Sequence, residues 1–291
     1  MNGRLVYKGT IVDGNKIGRK MGIPTVNIPV TTNDYPDFGV YVASVCVNLD
    51  EPLYLNGVAN LGVKPTVEND NGSNPVAIEV NLFDFNEDIY GKEITVELKK
   101  FVRPEIKFDD LEKLKTQIEK DINTAKLYFV RETLLQEDNP VEYRSEKAMN
   151  NFLSGYTCAQ AVLLAFADIL DADEKTLAKI ASGFGGGMGR LREVCGTVSG
   201  MFMVVNLLYG FEIPEGASEK GEHYARIQEL AERFRAVNGT IVCRELLGLT
   251  EKHSDPMPLE RTSEYYKKRP CKELVGCAAR ILTEYLIEEL Q

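Results

Sequence analysis

The stretch Gly14-Asn15-Lys16-Ile17-Gly18-Arg19-Lys20-Met21-Gly22-Ile23-Pro24-Thr25-Val26-Asn27 decides how the first half of the chain is read. Its three glycines free the backbone for close approach to a ligand, and Arg19 with the neighbouring lysines brings positive charge. Pro24 stiffens the exit into two oxygen donors, Thr25 and Asn27. These are the requirements of a site for phosphate and a magnesium ion. The spacing fits neither the Gly-x4-Gly-Lys-Ser/Thr loop nor the Gly-x-Gly-x-x-Gly dinucleotide fingerprint. Taken alone, a glycine-rich stretch reads more commonly as a surface hairpin.

Working outward, residues 5–12, 40–47, 53–61, 76–85 and 94–101 are short runs rich in β-branched and aromatic residues, separated by turn clusters. Such strands followed by one helix predict a small antiparallel barrel. Residues 68–75 are polar and read as a turn or loop. The helix is well specified: Asp109 can cap it, and Leu111, Leu114, Ile118, Ile122, Ala125 and Phe129 recur along one face. On the strand 76–85, Ile78, Val80 and Leu82 share a face, so Glu79 and Asn81 point the other way. Glu79 is then either a solvated strand residue or a proton acceptor.

The segments Gly22-Ile23-Pro24-Thr25-Val26-Asn27, Phe38-Gly39-Val40-Tyr41, Val58-Ala59-Asn60-Leu61-Gly62, Ile78-Glu79-Val80, Asp88-Ile89-Tyr90-Gly91 and Arg103-Pro104-Glu105-x-x-Phe108 follow one another in an order and spacing that resembles the riboflavin kinase domain. The resemblance covers residues 1–130. It implies that riboflavin and ATP react to give FMN and ADP, with magnesium held by Thr25 and Asn27 and with Glu79 as the catalytic base. Gly14, Gly18 and Arg19 would close over the phosphates, and the Arg103-Pro104-Glu105 segment would lie toward the flavin. Phe108 reads more readily as core than as a ligand wall. Relatives of this kind carry an adenylyltransferase domain ahead of the kinase, and nothing precedes Met1 here, so the expected product is FMN and not FAD. Many of them have Arg in place of Lys64 and His in place of Asn81, which touches fine specificity only. The alternative is a non-catalytic flavin or nucleotide sensor that controls the rest of the chain. The joint presence of Thr25, Asn27 and Glu79 argues against it, since a binding module needs no base.

Residues 131–143 are polar and include Pro140, which suits a linker. From residue 144 the periodicity turns helical, predicting helices near 145–170, 173–182, 192–210, 217–238, 240–248 and 270–290 and an all-α domain over 144–291. Cys158 within Gly155-Tyr156-Thr157-Cys158-Ala159, the run Gly183-Phe184-Gly185-Gly186-Gly187-Met188-Gly189, Cys195-Gly196, Cys243 and Cys271 together resemble a family described as redox-active and named for the cysteine pattern C_GCAxxG_C_C. Val194 stands where that pattern has glycine. The family brings no firm activity with it. The residues themselves suggest a redox or metal module of unknown partner, with an unidentified metal or a disulfide, built on Cys158, Cys195, Cys243 and Cys271. Cys271 follows Pro270 in a first helical turn and Cys243 follows the candidate cap Thr240, so both thiols are expected to feel the positive end of a helix and to favour thiolate. Four small buried core residues are the plainer alternative. The glycine run 183–189 allows close approach of an anion, a flavin phosphate or another helix. Cys46 and Cys277 fall outside the pattern and read as core.

Composition sets the frame. The 291 residues are 44% apolar and 27% charged, as in an ordinary globular protein, and their number suits two domains. A net charge of -10 argues against nucleic acid and against an anionic membrane surface as partners. The N-terminus has no apolar core of a secretory signal, and the longest apolar run, 201–211, is too short to span a bilayer. Six cysteines without an export signal point to a reducing cytoplasm.

Overall fold

The structure, a computed structural model, describes residues 5–13, 17–32, 34–63, 75–211, 216–250, 255–258 and 260–289. Contacts divide the chain into two units, 1–129 and 130–291.

The first unit is built by alternation. In β5 (Val76–Leu82) Ile78 and Val80 are fully buried while Glu79 between them is exposed, so one face of the strand enters a core and the other faces out. With β1 (Leu5–Thr10), β2 (Val26–Pro29), β3 (Gly39–Val47), β4 (Leu53–Val63) and β6 (Glu93–Pro104) it forms one antiparallel sheet in the order β1-β6-β3-β4-β5-β2. The end strands approach each other. Val12 N–H donates to Asn27 C=O over 2.9 Å, and a side-chain carbon on Gly9 would lie 3.3 Å from Ile28 Cβ. The result is a nearly closed six-stranded barrel filled by residues such as Ile28, Val45, Ile78, Ile94 and Val96.

A single helical turn, α1 (Ile17–Lys20), precedes β2. The long helix α2 (Leu111–Gln136) lays Ile122, Ala125 and Phe129 against Val40, Val42 and Val58 on the outside of the barrel. Arg103 at the end of β6 fixes this docking: its Nε and Nη2 meet the carboxylate of Asp121 at 2.7 to 3.1 Å, and Gln117 donates to the same group.

The strands differ from the expected ranges at several points: β1 ends at Thr10, and β4 and β6 run on to Val63 and Pro104. β2 is a strand that the composition of Val26–Pro29 did not announce, and β5 stops at Leu82 because Asp84 turns the chain with φ 53°. Gly14, Lys64 and nearly all of the polar stretch 68–75 lie outside the described residues.

The stretch 131–143 is mostly helical. α2 runs on to Gln136, and α3 (Pro140–Leu153) opens with Asn139 as cap and Pro140 in its first turn, which leaves three residues between the two helices. The second unit is all helical: α4 (Cys158–Ala165), α5 (Glu174–Ala181), the one-turn α6 (Gly185–Met188), α7 (Gly196–Tyr209), α8 (Ala217–Asn238), α9 (Cys243–Leu246), α10 (Ser263–Lys268) and α11 (Cys271–Glu289). The helix expected over 145–170 breaks at Gly155, whose φ is 105°, and restarts with a capping box between Thr157 and Gln160. α4 and α7 sit at the centre with α11 and α3, burying Phe152, Phe166, Val204, Val205, Leu282 and Leu286. Among the described residues no helix is long and apolar enough to cross a membrane.

Candidate functional site

The β2–β5 ladder pairs Asn27 with Glu79, and the β4–β5 ladder pairs Asn60 with the same Glu79, so three polar side chains lie abreast on one face of the sheet. Thr25, two residues before Asn27, joins them. Its Oγ1 donates to Glu79 Oε1 over 2.5 Å, a distance usual for a hydroxyl on a carboxylate. A threonine oxygen that gives away its proton keeps its lone pairs for a cation. Asn27 is 5% exposed.

Two cavities meet at Thr25. One, of about 260 Å³, lies over Glu79 and is walled by Met21, Ile23, Ile106, Phe108, Leu114 and Ile118, with Asn60, Arg103 and Glu105 as polar groups. The other is walled by Arg19, Phe85 and Tyr90, with the Arg19 guanidinium 6.0 Å from the centre of the Tyr90 ring. Gly18 lines the first. A side chain there would strike the Ile23 carbonyl, and the Ile23 N–H donates to Gly18 C=O over 2.8 Å. Expected site residues Thr25, Glu79, Gly18 and Arg19 are thus brought together around one point. Asn27 stands beside them in register without lining either cavity.

Two wall residues, Phe108 and Asn60, carried no role in the sequence reading, while Glu105 belongs to the segment expected toward the flavin. Phe108, taken there as core, lines the cavity. Asn60 Nδ2 donates to Glu105 Oε1 over 2.9 Å, and Gly62 leaves room for that carboxylate, which a side chain would strike. Both sit in segments whose order and spacing were already noted, so the signal was present.

In the second unit the four cysteines of the pattern, up to 113 positions apart in sequence, line one cavity of about 260 Å³. Each is placed by a different element: Cys158 and Cys271 open α4 and α11, Cys195 precedes α7, and Cys243 opens α9. A short bridge between Val194 and Val242 ties the last two segments, with Cys195 N–H donating to Ile241 C=O over 2.8 Å and Cys243 N–H to Glu193 C=O over 2.6 Å. Burial pushes the Cys195 thiol up to about 11 despite its contact with Thr197 Oγ1 at 3.2 Å. Burial also raises Cys243, more than the neighbouring Arg192 lowers it. That corrects the expectation of thiolate at Cys243: α9 is one turn long and has no dipole to set against desolvation. Cys271 moves the other way. A hydrogen bond from Cys158 lowers it most, burial raises it, and Arg269, Arg192 and Arg261 lower it further, while Cys158 rises well above the usual thiol range. All six cysteines are free thiols, and among the described residues no three His, Cys, Asp or Glu side chains are placed to hold a metal.

Residues 2–129 match the family model described as "Riboflavin kinase", and residues 156–285 match that described as "Putative redox-active protein (C_GCAxxG_C_C)". A protein of Haemophilus influenzae named bifunctional riboflavin kinase/FMN adenylyltransferase is 46% identical over 121 residues, which are 42% of this chain and 37% of that one. Its namesake in Bacillus subtilis is 44% identical over 42% of this chain and 38% of its own. A further B. subtilis protein, named RNA-binding riboflavin kinase RibR, is 43% identical over 40% of this chain and 48% of its own. The chain therefore spans less than half the length of these curated relatives. Their matches coincide with the barrel and its helix, so residues 2–129 are similar to the riboflavin kinase family and residues 156–285 to the C_GCAxxG_C_C family.

Proposed function

We propose that the first unit transfers the ATP γ-phosphoryl group to the 5′-hydroxyl of riboflavin, giving FMN and ADP. The observation that carries this reading is the Thr25–Glu79 contact at the junction of two cavities. Phosphoryl transfer asks mainly for alignment and charge neutralisation. The cavity over Glu79, with Phe108 and aliphatic walls, suits a flat flavin ring, and the cavity beside Arg19 suits a nucleotide phosphate chain.

Magnesium favours oxygen ligands and takes few from protein when it rides on phosphates, so the Thr25 hydroxyl and the Asn27 amide are a donor set that fits it. When bound, it would neutralise charge on the phosphates. Glu79 orients the riboflavin hydroxyl and takes its proton late in the transfer. Arg19 adds positive charge on the nucleotide side.

FMN formation from riboflavin and Mg-ATP tests this directly. Turnover that collapses in Glu79→Gln and in Thr25→Ala supports it, and riboflavin binding without any turnover in the intact chain would favour the sensor alternative.

For the second unit the reading is a thiol-based redox module working in a reducing cytoplasm, supported by four thiols on one cavity. Nucleic acid is disfavoured as a partner by the net charge of -10. Because one relative is named RNA-binding, a gel-shift assay with RNA is the check.

A further inference from the structure

Two side chains of β5 reach across to the same dipeptide. Glu79 accepts from the Thr25 hydroxyl over 2.5 Å, and Asn81 Nδ2 donates to the Pro24 carbonyl over 2.8 Å. A carbonyl can only accept, so the amide nitrogen of Asn81 is the atom that faces it. Glu79 and Asn81 stand two positions apart on the strand, which puts both on one face of the sheet, and both line the cavity over Glu79 together with Thr25.

The strand register explains why Asn81 is needed there. Val30 N–H donates to Val76 C=O over 2.9 Å, and in an antiparallel ladder such bonds return at every second pair. The pairing of β2 with β5 runs as far as Val26 opposite Val80, so the next bonding pair would be Pro24 opposite Leu82. Proline has no N–H to give, and the ladder ends. The Pro24 carbonyl is taken by the Asn81 side chain instead.

That substitution of partners bears on Thr25. A peptide group is planar, so a carbonyl held in place fixes the following nitrogen and α-carbon with it. After Pro24 these belong to Thr25, whose other neighbour, Val26, is already in the ladder. The backbone of Thr25 is thus held from both ends and its hydroxyl by Glu79. Asn81 is itself a firm anchor: it is 9% exposed, and β4 pairs Val58 with it on the other side of β5.

We propose that Asn81 is a positioning residue for magnesium: by holding the Pro24 carbonyl it sets where the Thr25 hydroxyl stands, and so how well that hydroxyl serves as a donor to a nucleotide-bound magnesium ion. Asn81 acts through Thr25 and is not a donor itself. The proposal rests on the kinase reading given above and adds a residue to it. Magnesium tolerates little error, since it demands near-ideal octahedral geometry with oxygen at about 2.1 Å. A Pro24–Thr25 peptide free to rotate would leave the hydroxyl present but displaced. A role in holding the sheet end alone would weaken nucleotide binding with and without the metal alike, whereas positioning affects the magnesium-dependent part.

The test is calorimetry of the full chain with ADP, with and without magnesium, the ratio of the two affinities giving the magnesium enhancement. Asn81→Leu keeps the size and removes the donor. It should lower the enhancement about tenfold and leave the magnesium-free ADP affinity and the riboflavin affinity within about twofold of wild type. Retained riboflavin binding also shows that the barrel has folded. Asn81→His carries a nitrogen on Cγ, as asparagine does, and should restore most of the enhancement. Thr25→Val should lower the enhancement too, and adding Asn81→Leu to it should change the ratio by less than about twofold, because the hydroxyl through which Asn81 acts is gone.

A full further loss in the double variant, an unchanged enhancement in Asn81→Leu, or a histidine as poor as leucine overturns the proposal. Absence of any enhancement in the wild-type chain overturns it together with the metal role of Thr25. FMN formation is measured separately. A wild-type chain that makes no FMN but shows the expected pattern of enhancements overturns the kinase reading alone, and leaves Asn81 as the positioning residue of a magnesium-dependent nucleotide site.

Discussion

Thr25 Oγ1 donates to Glu79 Oε1 over 2.5 Å, tying the residue just before β2 to the middle of β5. The contact makes the two side chains one unit: the carboxylate holds the hydroxyl's proton, so the hydroxyl's lone pairs face outward, and the hydroxyl holds the carboxylate in one rotamer. Glu79→Gln is expected to lower kcat by about 10²- to 10⁴-fold, the range for loss of a positioned proton acceptor, with little change in the riboflavin KM. Thr25→Ser keeps the hydroxyl and should retain most activity, while the isosteric Thr25→Val should lose it and need far more magnesium. Serine behaving as poorly as valine would show that packing at this position, and not its oxygen, is what matters.

Asp121 on α2, 4% exposed, is met by Arg103 through three contacts and by Gln117. Both members of the pair line the cavity over Glu79, so the bond that docks the helix also aims the arginine. Removing one partner of a buried pair costs about 3–5 kcal/mol, because the other charge is left without a counter-ion. Asp121→Ala should therefore lower the urea midpoint of the transition that loses flavin binding, and raise the riboflavin KM more than it lowers kcat. An unchanged midpoint would mean that Arg103 finds another partner and that α2 is held by Ile122, Ala125 and Phe129 alone.

Most of the barrel was legible because its strands alternate or run apolar between turn clusters, and Thr25, Glu79 and Gly18 were legible because family spacing singled them out. β2 was not: four residues with a polar one inside and a proline at the end carry almost no periodicity. Phe108 shows a limit of another kind, since an aromatic residue beside a helix start reads the same whether it faces a core or a void. The break near Gly155 did have a local signal, a Thr-x-x-Gln capping box, which the apolar run after it masked. The arginines of the cysteine cavity could not be read at all. Arg190 and Arg192 point where they do because of left-handed backbone, and Arg261 and Arg269 arrive from some seventy residues further on, so only the tertiary fold makes a group of them.

Arg144 is fully buried between two carboxylates of the second unit, meeting Asp168 through both terminal nitrogens at 2.7 Å, Glu137, and the Ala165 carbonyl at 2.7 Å. Burial pushes the Asp168 carboxyl up, yet the hydrogen bonds and charge of Arg144 and Lys147 outweigh it and bring the group from 3.8 down to about 2. A carboxyl lowered by folding stabilises the folded state fully above its ordinary value and loses that contribution as pH falls toward the lowered one. The second unit should thus lose stability between pH 3.8 and about 2, and Asp168→Asn should be less stable than wild type at neutral pH but show a shallower fall across that window. Thermal melts at stepped pH decide it; parallel acid limbs in the two proteins would assign the acid sensitivity elsewhere.

Gly187 combines two constraints that only glycine meets. Its φ is 71°, and a side-chain carbon there would lie 2.6 Å from Cys243 Cβ and 3.1 Å from Arg192 Cα. Gly187→Ala must both strain the backbone and push Cys243 and Arg192 out of place, and left-handed strain alone costs about 1–3 kcal/mol. Gly183, in the same glycine run, has nothing within 4 Å of such a carbon and no positive φ. Gly183→Ala should therefore leave the melting temperature and thiol reactivity of the second unit almost unchanged. Gly187→Ala should lower the first and expose Cys243 to alkylation that the wild-type chain resists, with FMN formation by the first unit unaffected in both. Equal tolerance of the two substitutions would mean that the run 183–189 can rearrange freely, and the close approach of its backbone to Cys243 would then have no part in shaping the cavity.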